Sequence, residues 1–159
     1  MERLSIVMIC MLAFLACSCG EDSSRRPATV SVHGRTWTVE LALTQDQRYR
    51  GLSDRPSLSE NAGMLFVYPQ PQTLEFCMRR CLISLDIAFL SADLRVVRMY
   101  TMPKEPYGQE RATYPSVDRA QYALELNAGD LQKAGVKVGD RFEFSSAAEA
   151  AKGQPDGRR

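Results

Sequence analysis

The residues best suited to chemistry lie in one apolar stretch near the middle of the chain. Residues 63–90 form the densest apolar run outside the N-terminus, and they contain Cys77, Cys81 and an acid with apolar neighbours, Asp86. On a continuous strand the Cα atoms of the two cysteines would lie about 13 Å apart, whereas a disulfide needs about 4.4–6.8 Å. A Cys77–Cys81 disulfide therefore requires a turn over residues 78–80, and two separately buried thiols are an equal alternative.

Redox and metal chemistry are the other uses open to these sulfur atoms. The flanking Arg79 and Arg80 would favour thiolate chemistry, but the C-x-x-C spacing typical of redox sites is absent. Zinc requires about four ligands, and the chain has one histidine. Copper(I) prefers soft ligands, which the sequence supplies as Cys77, Cys81, Met78, Met99 and Met102. Methionines at strand spacing usually belong to a core, so we predict neither a metal nor a cofactor.

Two acids interrupt apolar strands and complete the set of candidates. A buried Asp86 must be hydrogen-bonded or paired. We favour a structural contact, either with a backbone amide or with Arg79, Arg80 or Arg98. The alternative is an acid that transfers a proton or orients a ligand beside a cleft. Glu125 interrupts another apolar strand and could face solvent. The candidate binding residues are Met78, Arg79, Arg80, Asp86 and Glu125.

Short strands separated by turn residues are predicted to position these side chains. Alternating apolar residues on both sides of His33-Gly34 predict a β-hairpin over residues 30–41. Thr44 and Gln47 have the capping-box spacing, so a short helix is predicted to begin there and to end at Gly51. Further strands are predicted at residues 64–68, 73–78, 82–90, 96–102, 121–126 and 141–144, with a long loop at 103–116 and a short helix ending at Gly135.

This pattern predicts a mainly β fold in a single domain. Many short strands separated by turns favour a sandwich or a barrel. We therefore expect a β-rich α+β domain, one compact antiparallel β-sandwich or barrel-like unit with one or two short helices. The 159 residues are enough for one hydrophobic core. The formal net charge of +1, with scattered arginines, argues against nucleic acid as a partner.

The N-terminus carries the features of an envelope-targeting segment. Residues 6–17 form an apolar run of signal-peptide length, which is shorter than the about 20 residues needed to span a bilayer. Cys17 and Cys19 follow small residues, as in the lipobox of bacterial lipoproteins, and either could be lipidated. An ordinary secretory signal and a buried N-terminal helix are the alternatives. We predict a signal peptide at residues 1–19, a polar tether at 20–28, a β domain at 29–145 and a flexible tail at 146–159.

A set of short motifs along the domain resembles the DUF192 (UPF0127) family. The motifs, in order, are Gly51-Leu52, Gly63-Met64-Leu65-Phe66, Phe76-x-Met78-Arg79, Leu85-Asp86-Ile87-x-Phe89, Leu124-Glu125-Leu126-x-x-Gly129 and Gly139-Asp140. They span residues from about Glu40 to Phe144. The resemblance implies a compact β-sandwich with short helices, often secreted or lipid-anchored, without an established biochemical function.

The chain departs from this family pattern inside the central motif. The family usually has Trp where Cys77 stands, Asn where Arg80 stands, and Thr or Cys where Cys81 stands. Pro is common where Ser84 stands, and Gly where Leu94 stands. If the Trp and Asn line a ligand site in relatives, that site is altered here.

We expect a lipid-anchored cell-envelope module that binds a small ligand or a partner protein. Its surface would be built by residues 69–72, 78–81 and 103–116, because function concentrates on loops held by a rigid scaffold. The alternative is an envelope enzyme that uses Asp86 with Arg79 or Arg80, or a Cys77/Cys81 redox or soft-metal site.

One structural observation separates the two functions. A cleft in which Asp86, Arg79 and Glu125 converge would favour the enzyme, and a flat, tyrosine-rich surface would favour the binder. The predicted partners are a membrane, through the anchor, and an unknown small ligand or envelope protein, but no nucleic acid. The protein is expected to be a monomer that faces the periplasm or the exterior.

Overall fold

The computed structural model describes residues 28–106, 108–109 and 112–151. The predicted signal peptide, almost all of the predicted tether, and both candidate lipidation sites lie outside these residues. No helix in the described ranges is long and apolar enough to cross a membrane. The elements are β1 (Ala28–Val32), β2 (Arg35–Ala42), α1 (Gln45–Arg50), β3 (Ala62–Gln72), β4 (Glu75–Cys77), β5 (Leu85–Leu90), β6 (Val96–Met102), β7 (Thr113–Pro115), β8 (Ala120–Asn127), α2 (Asp130–Lys133), β9 (Glu143–Phe144) and α3 (Ser146–Ala150).

Seven of these strands form one curled sheet in the order β6-β5-β8-β3-β2-β1-β9, and β4 pairs with β7 in a small second sheet. The predicted β-rich, barrel-like fold is therefore confirmed. Neighbouring strands run antiparallel except β2 and β3, which pair in parallel. Parallel strands need a long crossover connection, and residues 43–61, which include α1, provide it.

The two edges of the large sheet meet at one end. Arg95, next to the start of β6, forms an isolated bridge with Arg141, shortly before β9. The Phe142 amide also donates to the Leu94 carbonyl oxygen at 2.9 Å. These contacts hold the sheet in a half-barrel. Leu94 adopts a φ of 65° here, a conformation that glycine adopts more easily, which accounts for the glycine of the family pattern.

Each face of the curled sheet is covered by its own apolar core. The first core contains Trp37 and Phe142 together with buried residues from α2 and from the helix that follows β9. The second core contains Phe66 and Phe89 and lies beneath the small sheet of β4 and β7. All six residues of β5 are buried, because both faces of this strand are covered.

The elements that depend on local sequence are formed as predicted. In the β1–β2 hairpin, His33 and Gly34 form the turn with φ angles of 49° and 76°, the left-handed pair that matches the twist of a two-residue hairpin. Helix α1 begins at the predicted capping box and ends before Gly51. The predicted alternation along β5 is also present, since its apolar residues divide between the two cores.

Three elements differ from the sequence prediction. β3 continues through Pro69 and Pro71, because its pairing with β8 shifts register at this point and a proline is tolerated where no ladder hydrogen bond is needed. β7 forms inside the predicted loop at 103–116 by pairing with β4. The predicted flexible tail begins with helix α3, a third helix, because Ala148 is buried against the first core.

Candidate functional site

Helix α1 forms one wall of a cleft on the side of the second core. The helix begins at the capping box. The Thr44 hydroxyl oxygen accepts the Gln47 backbone N–H at 3.2 Å, and the Gln47 side-chain oxygen accepts the Thr44 backbone N–H at 3.0 Å. No residue of α1 is buried, so side-chain contacts must hold the helix. The Arg48 guanidinium donates to the Val67 carbonyl oxygen at 3.0 Å and lies 4.9 Å from the centre of the Tyr68 ring. Arg48 thereby ties α1 to β3.

The opposite wall is the turn that follows β4, residues 78–81, where the Cys81 amide donates to the Met78 carbonyl oxygen at 3.0 Å. Arg79 in this 78–81 turn donates to the Tyr49 carbonyl oxygen, and its guanidinium carbon lies 3.7 Å from the centre of the Tyr49 ring. The Ser53 hydroxyl donates to the Arg79 carbonyl oxygen at 3.0 Å. The two walls are therefore joined through the half-buried Arg79 and the exposed Tyr49, and this part of the cleft is called its mouth.

A cleft of about 850 Å³ lies between these walls. Phe66 and Phe76 line it as an edge-to-face pair, with ring centres 4.9 Å apart and planes at 87°. Tyr68, Leu52 and Glu125 also line it. Small-molecule sites usually have volumes of roughly 300–1,000 Å³ and mainly apolar walls with a few polar groups. The volume of the cleft falls in this range, but its lining is about as polar as it is apolar, with three arginines, two glutamates and three glutamines beside the aromatic residues.

Glu125 is the buried polar group of the cleft. It lies in the middle of β8, and its chain neighbours Leu124 and Leu126 belong to the first core, so strand alternation directs Glu125 to the cleft. Its side chain is 4% exposed. The sequence allowed it to face solvent; the structure buries it, because β8 is a central strand covered on both faces.

The Glu125 carboxyl group has no hydrogen bond or ion pair from the residues that the structure describes. Burial alone raises its pKa to about 8. Burial also raises the pKa of Tyr68, which Arg48 lowers and Glu125 raises further, so the three groups influence one another. At neutral pH the Glu125 carboxyl is mainly protonated, and it can then donate one hydrogen bond and accept others.

Asp86 lies away from this cleft, on the opposite face of the sheet. It is 1% exposed and accepts hydrogen bonds from the Thr101 hydroxyl at 2.7 Å and the Leu131 amide at 3.0 Å. Leu131 is in the first turn of α2, whose N-cap, Gly129, has no capping side chain. Asp86 thus supplies the missing cap, and the favoured structural role with a backbone amide is the one that the structure shows.

The five candidate binding residues are therefore not brought together. Arg79 and Glu125 line the cleft. Met78 is fully buried in the second core, and Asp86 caps α2. Arg80 is exposed and donates to Asp54, with one of the two hydrogen bonds at 2.9 Å. The convergence of Asp86 with Arg79 that would have favoured an enzyme is absent from the described residues.

The backbone conformation of Arg80 accounts for the asparagine that the family pattern has at this position. Its φ is 56°, a left-handed conformation in which asparagine is enriched. The asparagine usual at this position in the family therefore suits the backbone of the 78–81 turn, whether or not it contacts a ligand. Here Arg80 borders a second, more polar cavity of about 700 Å³, which Arg50, Asp54 and Arg79 also line.

The candidate Cys77–Cys81 disulfide is not formed, and both cysteines carry thiols. Cys77 ends β4 with an exposed side chain, whereas Cys81 is 8% exposed and belongs to the second core. The 78–81 turn exists, but the alternative of two separately buried thiols holds for Cys81 alone, because the Cys77 side chain is exposed. Both cysteines line the cleft. No group of three or more His, Cys, Asp or Glu side chains able to hold a metal occurs in the described part of the chain.

Several cleft residues were not candidates in the sequence. Arg48 and Tyr49 could have been found, because the capping box places both on a short helix with no apolar face. The aromatic residues Phe66, Tyr68 and Phe76 could not, since they lie on strands of two different sheets and only the tertiary fold brings them together.

Comparison with known proteins places the chain among proteins without an assigned activity. A family model, DUF192, described as "Uncharacterized ACR", matches residues 28–144. The crystal structure of a candidate transcription regulator from Sinorhizobium meliloti 1021 has 32% identity and a TM-score of 0.64, covering 74% of this chain and 91% of that chain. A protein of unknown function from Novosphingobium aromaticivorans DSM 12444 has 33% identity and a TM-score of 0.65, covering 74% and 83%. No curated protein matches the chain.

Proposed function

Because the chain belongs to the DUF192 family, whose description assigns no activity, we propose a function from the geometry of this chain: a module that binds a small ligand in the cleft between α1 and the 78–81 turn. The observation that carries the proposal is the Glu125 carboxyl group, which is buried, lines the cleft and has no hydrogen bond from the described residues.

The cost of burying this carboxyl group supports a ligand. Buried polar groups in native proteins are nearly always hydrogen-bonded, and leaving one without a partner costs about 1–3 kcal/mol. Asp86, on the neighbouring strand, follows this rule with two donors. Glu125 has no such donor among the described residues, but its carboxyl group borders the cleft, and the fully enclosed side-chain atom without a partner in the described residues is instead Arg98 Nε. The full penalty therefore does not apply to Glu125, and a small molecule in the cleft could supply its hydrogen bond.

The N-terminal segment supports a location at the cell envelope. We propose that Cys17 or Cys19 carries a lipid that holds the domain at a membrane surface, with residues 20–28 as a short tether. The support is the apolar run at residues 6–17 and the small residues that precede each cysteine.

Methyl NMR of the full-length protein in detergent, with labelled methionines, tests the binding function. Met64 pairs with Glu125, and Met78 belongs to the second core, whereas Met99 packs against the first core. A panel of small acids, alcohols, amines and sugars should contain compounds that shift the Met64 and Met78 signals and leave Met99 unchanged.

Matched variants decide whether such binding occurs in the cleft. Phe76→Ala removes part of the cleft wall and should weaken binding, whereas Phe144→Ala truncates a half-buried residue beside the first core and should not. If no compound shifts Met64 or Met78, or if Phe144→Ala weakens binding as much as Phe76→Ala, the binding proposal fails.

A proton-transfer enzyme is the second candidate, because the Glu125 pKa of about 8 suits an acid or base at neutral pH. Conversion of a bound compound, abolished in Glu125→Gln, would favour it over simple binding.

The description of the Sinorhizobium protein as a candidate transcription regulator gains no support here, since the net charge is +1 and Arg55 and Arg80 are paired with acids.

A further inference from the structure

We infer that the ligand of the cleft is a small organic acid, with its anionic group on Arg79 at the mouth and an uncharged polar group at Glu125. This assignment rests on the proposed function of the cleft and names the chemical class of its ligand. Three observations support it: the charge of the cleft lining, the contacts of Arg79, and the aromatic pair that lines the same cleft.

The charge of the cleft favours an anion. Three arginines line it, Arg48, Arg50 and Arg79, against two acids, Glu75 and Glu125. Burial keeps Glu125 mainly protonated at neutral pH, since its pKa is about 8. The lining therefore carries three positive charges and one negative charge, and a cationic ligand would be repelled at the mouth.

Arg79 is oriented but not neutralised. One of its N–H groups donates to the Tyr49 carbonyl oxygen, and its guanidinium carbon lies over the Tyr49 ring, 3.7 Å from the ring centre. No carboxylate of the described residues pairs with it, in contrast to Arg55 with Glu40 and Arg80 with Asp54. A guanidinium has five N–H donors in a fixed fork that suits a carboxylate. Because stacking already fixes this fork, binding an anion costs little side-chain entropy.

The cleft that Arg79 and Glu125 line also contains a pair of aromatic rings, which suits a ligand with a short apolar body. Phe66 and Phe76 line the cleft edge to face, and Phe76 continues the aromatic packing to Phe89, with ring centres 5.6 Å apart. Aromatic rings favour such edge-to-face contacts, so a planar ligand can extend the arrangement. At the buried end the protonated Glu125 carboxyl can donate to or accept from a hydroxyl or carbonyl group.

Three probes that differ only in charge at one end test the inference: 4-hydroxybenzoate, 4-hydroxybenzyl alcohol and 4-hydroxybenzylamine. They share a ring and a phenol, and their affinities can be read from the Met64 and Met78 methyl signals. The acid should bind about tenfold more tightly than the alcohol, as expected for one charge-assisted interaction, and the amine most weakly.

Variants at Arg79 assign the charge preference to that side chain. Arg79→Gln should weaken binding of the acid about tenfold and leave binding of the alcohol unchanged, whereas Arg79→Lys should keep part of the preference. Arg55→Gln removes an arginine outside the cleft and should change neither affinity. Arg79→Lys also keeps the test decisive if Arg79→Gln does not fold.

A variant at Glu125 tests the buried end. The wild type should prefer 4-hydroxybenzoate over benzoate, and Glu125→Leu should abolish that preference while retaining the preference for the acid over the alcohol. Equal binding of acid and alcohol, tightest binding of the amine, or no binding of any of the three probes would overturn the inference. The proposed function fails separately, when the whole panel leaves Met64 and Met78 unshifted.

Discussion

Asp86 and Glu125 are buried acids on adjacent strands, and their hydrogen bonds give them different roles. In the β5–β8 register Glu125 pairs with Ile87, the residue next to Asp86, so alternation sends the two side chains to opposite faces. Asp86 accepts from Thr101 and Leu131, whereas Glu125 has no donor among the described residues. A carboxyl side chain therefore caps a helix at one position, and at the other it is left for a ligand.

The first residue-scale prediction concerns the pH dependence of stability. The Glu125 pKa rises from 4.5 to about 8 on folding, so between these values the folded state holds a proton that the unfolded state has lost. The stabilisation that comes from holding this proton is fully present at low pH and is lost as the pH rises towards 8. The free energy of unfolding should fall by about 1.4 kcal/mol per pH unit across this window.

Urea unfolding at a series of pH values checks this slope. Glu125→Gln removes the titrating group, so the wild type should lose stability relative to the variant as the pH rises. Glu143→Gln, an exposed residue of β9, is the matched control and should follow the wild type. Parallel curves for wild type and Glu125→Gln would show that Glu125 titrates normally and would remove the main support for the site.

The two cysteines should differ sharply in reactivity. Cys77 is exposed and Cys81 is buried. Trypsin cuts after Arg79 and Arg80, so the two cysteines fall in different peptides and mass spectrometry can follow each of them. Iodoacetamide should label Cys77 in the folded protein and Cys81 only after unfolding. Cys77→Ser should leave Cys81 equally protected. Labelling of both only after reduction would instead show the disulfide that the sequence had allowed.

At the scale of elements, α2 depends on a cap from a distant strand. It spans only four residues, its N-cap is Gly129, and Asp86 accepts the Leu131 amide. Asp86→Ala leaves that amide and the Thr101 hydroxyl without an acceptor and should lower the free energy of unfolding by about 2–4 kcal/mol. Exchange of the Leu131 amide hydrogen with solvent should become faster.

Asp118→Ala is the control for this change, because Asp118 is exposed, and it should alter stability little. Asp86→Asn should have an intermediate effect, since its amide oxygen can still accept one hydrogen bond. Equal stabilities for Asp86→Ala and the wild type would show that the cap is dispensable.

The elements that the sequence predicted are those specified by neighbouring residues. The turn at His33-Gly34, the Thr44 capping box and the alternation of β5 are local signals, and all three are found in the structure. The continuation of β3 through Pro69 and the pairing of β7 with β4 depend on strands distant in sequence. No local pattern specifies such pairings.

The residues of the candidate site also fall into those that the sequence could predict and those that depend on the tertiary fold. Glu125 stood out because it interrupts an apolar strand, and Arg79 because it lies between the two cysteines; both line the cleft. The burial of Glu125 could not be predicted, because it depends on β8 lying between β3 and β5. Asp86 had the same sequence signal, yet its partners come from β6 and α2.

At the scale of the whole molecule, one curled sheet separates the two cores and places the cleft on the side of the second. The edge strands β6 and β9 are joined at one end through Arg95 and Arg141. Exposed sheet edges promote pairing between copies of a chain, and covering them prevents it. The bridge covers part of both edges at one end of the sheet, and the expectation of a monomer stays a prediction.

The last prediction is that the whole molecule is held at a membrane by a lipid at its N-terminus. A diacylglyceryl group supplies two acyl chains, and two such signals are what stable anchoring requires. Full-length protein made in a bacterial host should therefore sediment with membranes and gain the mass of the lipid. Replacing both Cys17 and Cys19 with Ser should release it, whereas Cys77→Ser with Cys81→Ser should not. The single variants show which N-terminal cysteine carries the lipid, and a double variant of Cys17 and Cys19 that still sediments with membranes would exclude the lipid anchor.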